Sequence, residues 1–146
     1  MLITLTTDGS YCSTRKKSGY AFWVSSSAGR FQRYGSLKAK NPTEAELMAI
    51  ANGLHFCRTH PDLKDATKIV LNIDCIGYKN LIEGKKTRKW YNYRRIIGVI
   101  SKYRGVYNGK KCEVELRWVQ AHTGDLSESR KYVNNWVDSR AKLALK

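Results

Sequence analysis

Residues 69–74 read Ile69-Val70-Leu71-Asn72-Ile73-Asp74, a short and nearly unbroken apolar run closed by an acid. A strand of this kind has no polar face to offer water, so it must be buried on both sides. That requirement points to a sheet covered by helices, and the flanking sequence supplies them.

Upstream, Leu2 to Thr7 alternates apolar and hydroxyl residues and stops at Asp8-Gly9-Ser10, a turn signal. The N-terminus therefore reads as a first strand rather than a signal peptide. Tyr20–Val24 and Phe31–Gly35 are two more strands, joined through the small-residue stretch Ser25 to Arg30 as a hairpin. Asn41-Pro42 then opens a helix, with Asn41 as N-cap, Pro42 at the first helical position and Glu44 three residues after the cap. Leu47, Ile50, Ala51 and Leu54 follow at helical spacing, and the helix runs out near His60-Pro61.

Beyond the apolar strand, the spacing predicts a helix from Cys75 to about Gly84 and a second from about Arg88 to Arg104, striped by Tyr93, Ile96, Ile97 and Ile100. Asn108-Gly109 marks a turn. Cys112 to Val119 alternates, with Val114, Leu116 and Trp118 opposite Glu113, Glu115 and Arg117. A polar loop from Gln120 to Arg130 leads to a last helix striped by Val133, Trp136, Val137, Ala141 and Ala144. The order β-β-β-α-β-α-α-β-α predicts one α/β domain over residues 1–146, a mixed sheet flanked by helices. At 146 residues and 42% hydrophobic, the chain has enough apolar material for such a core.

Charge narrows the function. Lys and Arg number 27 against 12 Asp and Glu, a net +15, which points to a polyanionic partner and most simply to nucleic acid. An anionic membrane is the rival partner, but no basic amphipathic helix or lipidation signal stands out, and no apolar run approaches spanning length. Cys12, Cys57, Cys75 and Cys112 form no C-x-x-C pair, so reduced thiols and a cytoplasmic setting are expected.

Against this basic background, four acids occupy distinctive settings. Asp8 ends a strand, Asp74 ends the buried strand, Glu46 lies at the end of the first helical turn, and Asp138 adjoins the apolar stripe of the last helix with Asn134 one turn before it. Each has an ordinary explanation. Asp8 suits a turn, Asp74 an N-cap, and Asp138 a solvated helix surface. Glu46 would complete a capping box if Thr43 were the cap, whereas an Asn41 cap gives that role to Glu44 and releases Glu46. Taken jointly, two strand ends, a helix start and a packed helix can meet above one sheet edge. Hard divalent ions prefer such oxygen ligands, and a pair of ions serves phosphodiester hydrolysis.

Five ordered segments carry a resemblance: Thr7-Asp8-Gly9-Ser10, Ala45-Glu46-Leu47-Met48-Ala49-Ile50, Asn72-Ile73-Asp74, Trp118-Val119-Gln120-Ala121-His122 and Asn134-Asn135-Trp136-Val137-Asp138. Together they resemble type 1 ribonuclease H over nearly the whole chain. The resemblance implies the ribonuclease H-like fold, a five-stranded mixed sheet flanked by helices, in which an antiparallel meander is followed by parallel strands. It implies two Mg²⁺ ions, with Mn²⁺ able to substitute, held by Asp8, Glu46, Asp74 and Asp138. His122, on the loop before the last helix, matches a histidine that assists proton transfer and product departure. The implied activity is endonucleolytic hydrolysis of the RNA strand of RNA/DNA hybrids to 5′-phosphate and 3′-hydroxyl products. The expected protein is a monomer, unless it is part of a larger replication or reverse-transcription protein.

Substrate contacts are expected at Gly9, Ser10, Asn41 and Thr43, and along the basic, aromatic segment that carries Lys85, Lys86, Arg88 and Trp90. There the cations would track phosphates and Trp90 would pack on a sugar, the alternative being a solvated basic helix with Trp90 in the core. Three features depart from the family pattern. Tyr11 to Lys17 replaces a glycine-rich segment, Pro42 and Thr43 stand where amide side chains read 2′-hydroxyls, and the loop from His122 to Asp138 is longer. Because the 2′-hydroxyl distinguishes RNA from DNA, a nuclease for branched DNA or double-stranded RNA is the alternative enzyme. A non-catalytic nucleic-acid-binding module with the same fold is the alternative of another class.

Overall fold

The structure, a computed structural model, describes residues 1–84, 87–119 and 128–146. The chain runs β1 (Leu2–Cys12), β2 (Lys17–Ser26), β3 (Gly29–Leu37), α1 (Pro42–Thr59), β4 (Lys68–Ile73), α2 (Ile76–Ile82), α3 (Arg88–Asn92), α4 (Arg94–Tyr103), β5 (Val106–Tyr107), β6 (Lys110–Lys111), β7 (Glu113–Trp118) and α5 (Glu128–Leu143). Five strands form one sheet in the order β3-β2-β1-β4-β7, while β5 and β6 pair as a separate ribbon. The first three strands are antiparallel, and β1, β4 and β7 run parallel.

The apolar run behaves as its composition demands, since every residue from Ile69 to Ile73 is buried. Alternation along β2 shows how both faces are used. Phe22 and Val24 join the larger core with Ile3, Leu5, Leu47, Leu71 and Ile100, beneath α1 and α4. Ala21 and Trp23 face the other way and pack with Val137 and Ala141 of α5. Successive strand residues point to opposite faces, so one strand feeds two cores.

Three sequence expectations need correction. β1 does not stop at Asp8. It pairs with β2 through Asp8↔Ala21, Gly9↔Tyr20 and on to Cys12↔Lys17, because the ladder continues past the apparent turn signal. The helix expected over 88–104 is interrupted at Tyr93, which has φ −117 and ψ 14 and caps both α3 and α4. Its hydroxyl donates to Asn41 Oδ1 at 3.1 Å, a tertiary bond made at the break. Trp118 shares the parity of Leu116 but is 44% exposed, because β7 is a sheet edge; the buried residue at this end is Val119, whose amide bonds to Ile73 O. The Asn108-Gly109 turn is present, with φ of 50 and 75, the left-handed pair a two-residue hairpin requires.

Arg58 ties α1 to the ribbon from inside. It is 4% exposed and donates to the carbonyls of Tyr103, Gly105 and Lys110 at 2.6–2.9 Å. No hydrophobic residue can satisfy those oxygens. Arg58→Leu is expected to lower unfolding free energy in urea by about 3 kcal/mol, the scale of orphaning buried acceptors; a loss within error would show that water substitutes for the guanidinium.

Candidate active site

Asp8 lies within β1, and the residue after it sets the geometry. A Cβ on Gly9 would run into the carbonyl of Ala45, so strand and helix meet backbone to backbone. The Gly9 amide donates to Glu46 Oε2 at 2.9 Å. Glu46 is available for this because Asn41 caps α1, accepting from Glu44 N at 2.8 Å, while Glu44 Oε1 accepts from Lys40 N. The Asn41 register of the helix start is the one adopted.

Asp74 follows the last residue of β4 and precedes Cys75, the N-cap of α2, so it is not itself the cap. Asp138 lies on α5 and accepts from Lys142 Nζ at 3.1 Å. Two contacts seat α5: Ser10 Oγ donates to Ala141 O at 2.5 Å, and a Cβ on Gly19 would strike the same carbonyl.

Asp8, Asp74 and Asp138 line one cleft of about 300 Å³ together with Thr7, Asn134 and Lys142. Asp8 is within hydrogen-bonding reach of the Glu46 and Asp138 side chains. Burial, then repulsion from Asp74 and Asp138, pushes the Asp8 carboxyl up to about 7. Burial, then Asp8 and Asp74, holds Glu46 well above the ordinary carboxylate range. The four acids therefore sense one another as a group. Thr7 Oγ1 and Asn134 Nδ2 are buried without a hydrogen-bond partner, and both residues face this cleft.

A model of the RNase H family matches residues 2–146. The chain belongs to the RNase H family. As a ribonuclease H it is a nuclease and a hydrolase. It is similar in structure to RNase H1 from the halophilic archaeon Halobacterium salinarum NRC-1, with a TM-score of 0.73 at 13% identity over 99% of this chain and 98% of that one. The N-terminal RNase H domain of a Mycobacterium tuberculosis protein gives 0.71 at 13%, covering 99% and 96%. LC11-RNase H1, of compost metagenomic origin and solved in complex with an RNA/DNA hybrid, gives 0.71 at 12%, covering 99% of each chain. At these identities the likeness shows the fold. No curated protein sequence gives a match.

The remaining expected site residues of this ribonuclease H divide. His122, Lys85 and Lys86 lie outside the described residues. Gly9 and Ser10 serve packing as described, with the Ser10 hydroxyl committed to α5. Asn41 Oδ1 is shared between Glu44 N and the Tyr93 hydroxyl, and Thr43 lies near Tyr78. Arg88 is exposed. Trp90 is partly buried against the main core, as in the alternative reading, and Tyr91, 54% exposed, is the open aromatic of that helix. Lys142 is the cleft residue that sequence reasoning missed, although its place four residues after Asp138 was a legible helix pair.

Whether these acids suit a divalent cation is answered by their surroundings. Among the described residues, no group of three or more His, Cys, Asp or Glu forms a ready-made metal site. A closed cage is what Mg²⁺ does not need, since it keeps several waters and binds through one or two carboxylates plus phosphate oxygens. Hard oxygen donors, mutual repulsion and burial together fit such an ion.

The shifts also fix a sign. Asp8 titrates near 3.8 when unfolded and about 7 when folded, so the folded state binds the extra proton between these values. Stability must fall as pH rises through that window. Metal-free protein is expected to melt at a lower temperature at pH 8 than at pH 5, with Asp8→Asn removing much of the difference. Mg²⁺ is expected to raise the melting temperature at pH 8 and to do little at pH 5. A metal-free melting temperature that rises between pH 5 and 8 would contradict the clustered acids.

Proposed function

We propose that this chain is a divalent-metal-dependent endonuclease that hydrolyses the RNA strand of RNA/DNA hybrids, leaving 5′-phosphate and 3′-hydroxyl ends. The observation that carries the reading is the meeting of Asp8, Glu46, Asp74 and Asp138 within a chain of net charge +15. The hybrid bound by LC11-RNase H1, a protein of the same fold, supports the choice of substrate.

Asp8, Glu46, Asp74 and Asp138 would hold two Mg²⁺ ions, or Mn²⁺ in their place. When bound, such ions supply Lewis-acid activation of the attacking water and stabilise the leaving oxygen. The chain's own residues do the rest. The Gly9 amide donates to Glu46 Oε2 and so fixes that carboxyl near Asp8. Lys142 holds Asp138 from the solvent side. Thr7 and Asn134 line the cleft and carry buried polar atoms without a protein partner. His122, by its place in the family motif, would assist proton transfer and product departure. Exposed Arg88, Arg94 and Arg95 on α3 and α4 attract backbone phosphates. The four thiols are unpaired, in keeping with a reducing, cytoplasmic setting, and no described helix is long and apolar enough to cross a membrane.

One observation favours a second reading, a nuclease for double-stranded RNA or branched DNA. The Asn41 acceptor is committed within the protein, so this stretch has less to offer a 2′-hydroxyl.

Labelled hybrid, double-stranded RNA and branched DNA incubated at equal salt separate these readings. Hybrid is expected to be cut fastest in Mg²⁺, with EDTA abolishing cleavage. Asp74→Asn is expected to lower the rate roughly 100-fold or more, since disturbing even the supports of metal ligands costs 10–100-fold. Faster cutting of another duplex supports the second reading. Equal rates for wild type and Asp74→Asn would leave a binding module without catalysis.

A further inference from the structure

Beside the catalytic cleft lies a second cavity, of about 500 Å³, that this reaction does not use. Thr4 and Thr6 of β1, Trp23 and Ser25 of β2 and Asn72 of β4 line it, with Arg30 and Arg130. The strand residues share the α5 face of the sheet, opposite the main core, by the parity that places Ile3, Leu5, Phe22, Val24 and Leu71 beneath α1. Thr6 and Asn72 also line the catalytic cleft, so the Asn72 Nδ2 to Thr6 Oγ1 bond of 3.1 Å forms part of the wall between the two spaces.

The charged side chains that line this cavity are arginines. Arg30 and Arg130 line it, and no carboxylate does among the described residues. Arg117 adjoins it by donating from Nε to Asn72 Oδ1 at 2.9 Å. Burial and the nearby Arg130 charge make Arg117 easier to deprotonate, against an opposing pull from Glu115, which places the two guanidiniums near each other. Trp23 is only 4% exposed, and its indole Nε1–H has no hydrogen-bond partner. Buried indole donors ordinarily find an acceptor. The space thus combines guanidiniums and hydroxyls beside a buried indole, a lining that suits an anion rich in oxygen acceptors.

We propose that this cavity binds a phosphate group, delivered either by the backbone of a nucleic acid passing the cleft or by a free phosphate or nucleotide. A phosphate occupies only part of such a volume, which leaves room for the sugar attached to it. The site is independent of metal loading, because none of the four acids lines it.

The test uses the full chain, ¹⁵N-labelled and held in EDTA so that no hybrid is cut. Its four tryptophans give four indole N–H resonances, and Trp23→Phe assigns one of them. Inorganic phosphate, AMP and an RNA/DNA hybrid are titrated separately at matched ionic strength, with chloride as the control. Phosphate is expected to move the Trp23 signal saturably. The double variant Arg30→Ala/Arg130→Ala is expected to weaken that binding roughly tenfold, the scale of losing a charge-assisted contact. If the hybrid moves the Trp23 signal in wild type and not in the double variant, the source is the nucleic acid backbone. If only phosphate or AMP does so, the source is a free anion. A Trp23 signal unmoved by all three, or moved equally in the double variant, overturns the proposal.

Discussion

The contact on which the site depends is the one with no side chain in it. Gly9 meets the Ala45 carbonyl where any Cβ would collide, which brings β1 and α1 to the closest approach a strand and helix permit. That approach places the Gly9 amide 2.9 Å from Glu46 Oε2. Gly9 is therefore a distance-setting residue, not a turn residue, and its neighbour Asp8 inherits a position beside a buried acid. A second close approach keeps the same helix down, since a Cβ on Gly53 would lie 3.0–3.1 Å from the Leu5 and Thr7 side chains.

The opposite face repeats the device. Gly19 leaves room for the Ala141 carbonyl, and the Ser10 hydroxyl donates to that same oxygen. One turn of helix separates Ala141 from Asp138, so the bond that seats α5 also sets where its acid points. Helices on the two faces of the sheet thus bring Glu46 and Asp138 to a common strand. Neither acid is near the other in sequence, and each is delivered by a small residue on β1 or β2.

Legibility in the sequence followed the locality of the cause. The burial of β4, the Asn41 cap and the Asn108-Gly109 turn depend on a few adjacent residues, and each appeared as read. The four acids could be singled out because ordered motifs flank them, and the structure brings them near one another. The continuation of β1 past Asp8 was not, because pairing with β2 overrode a turn signal that composition alone supports. The break at Tyr93 accompanies a hydroxyl bond to a residue 52 positions away, which no helical window contains. The choice between an open and a core Trp90 stayed undecided in the sequence for a related reason: burial depends on which side of a five-residue helix meets the core, and charge patterning does not specify that.

A cluster of acids inside a basic protein is consistent once the ranges of the two fields are separated. At physiological salt the Debye length is about 8 Å, so exposed cations on α3 and α4 act on a polyanion mainly at close range and in number. The acids cluster where burial, and then repulsion between them, raises Asp8 and Glu46. Without a bound cation, the cleft repels the phosphates that the surrounding surface attracts. Neutralising the cluster therefore changes what the surface can hold as well as the chemistry at its centre. Metal and nucleic acid should bind with mutual reinforcement, since each relieves a charge the other would otherwise face.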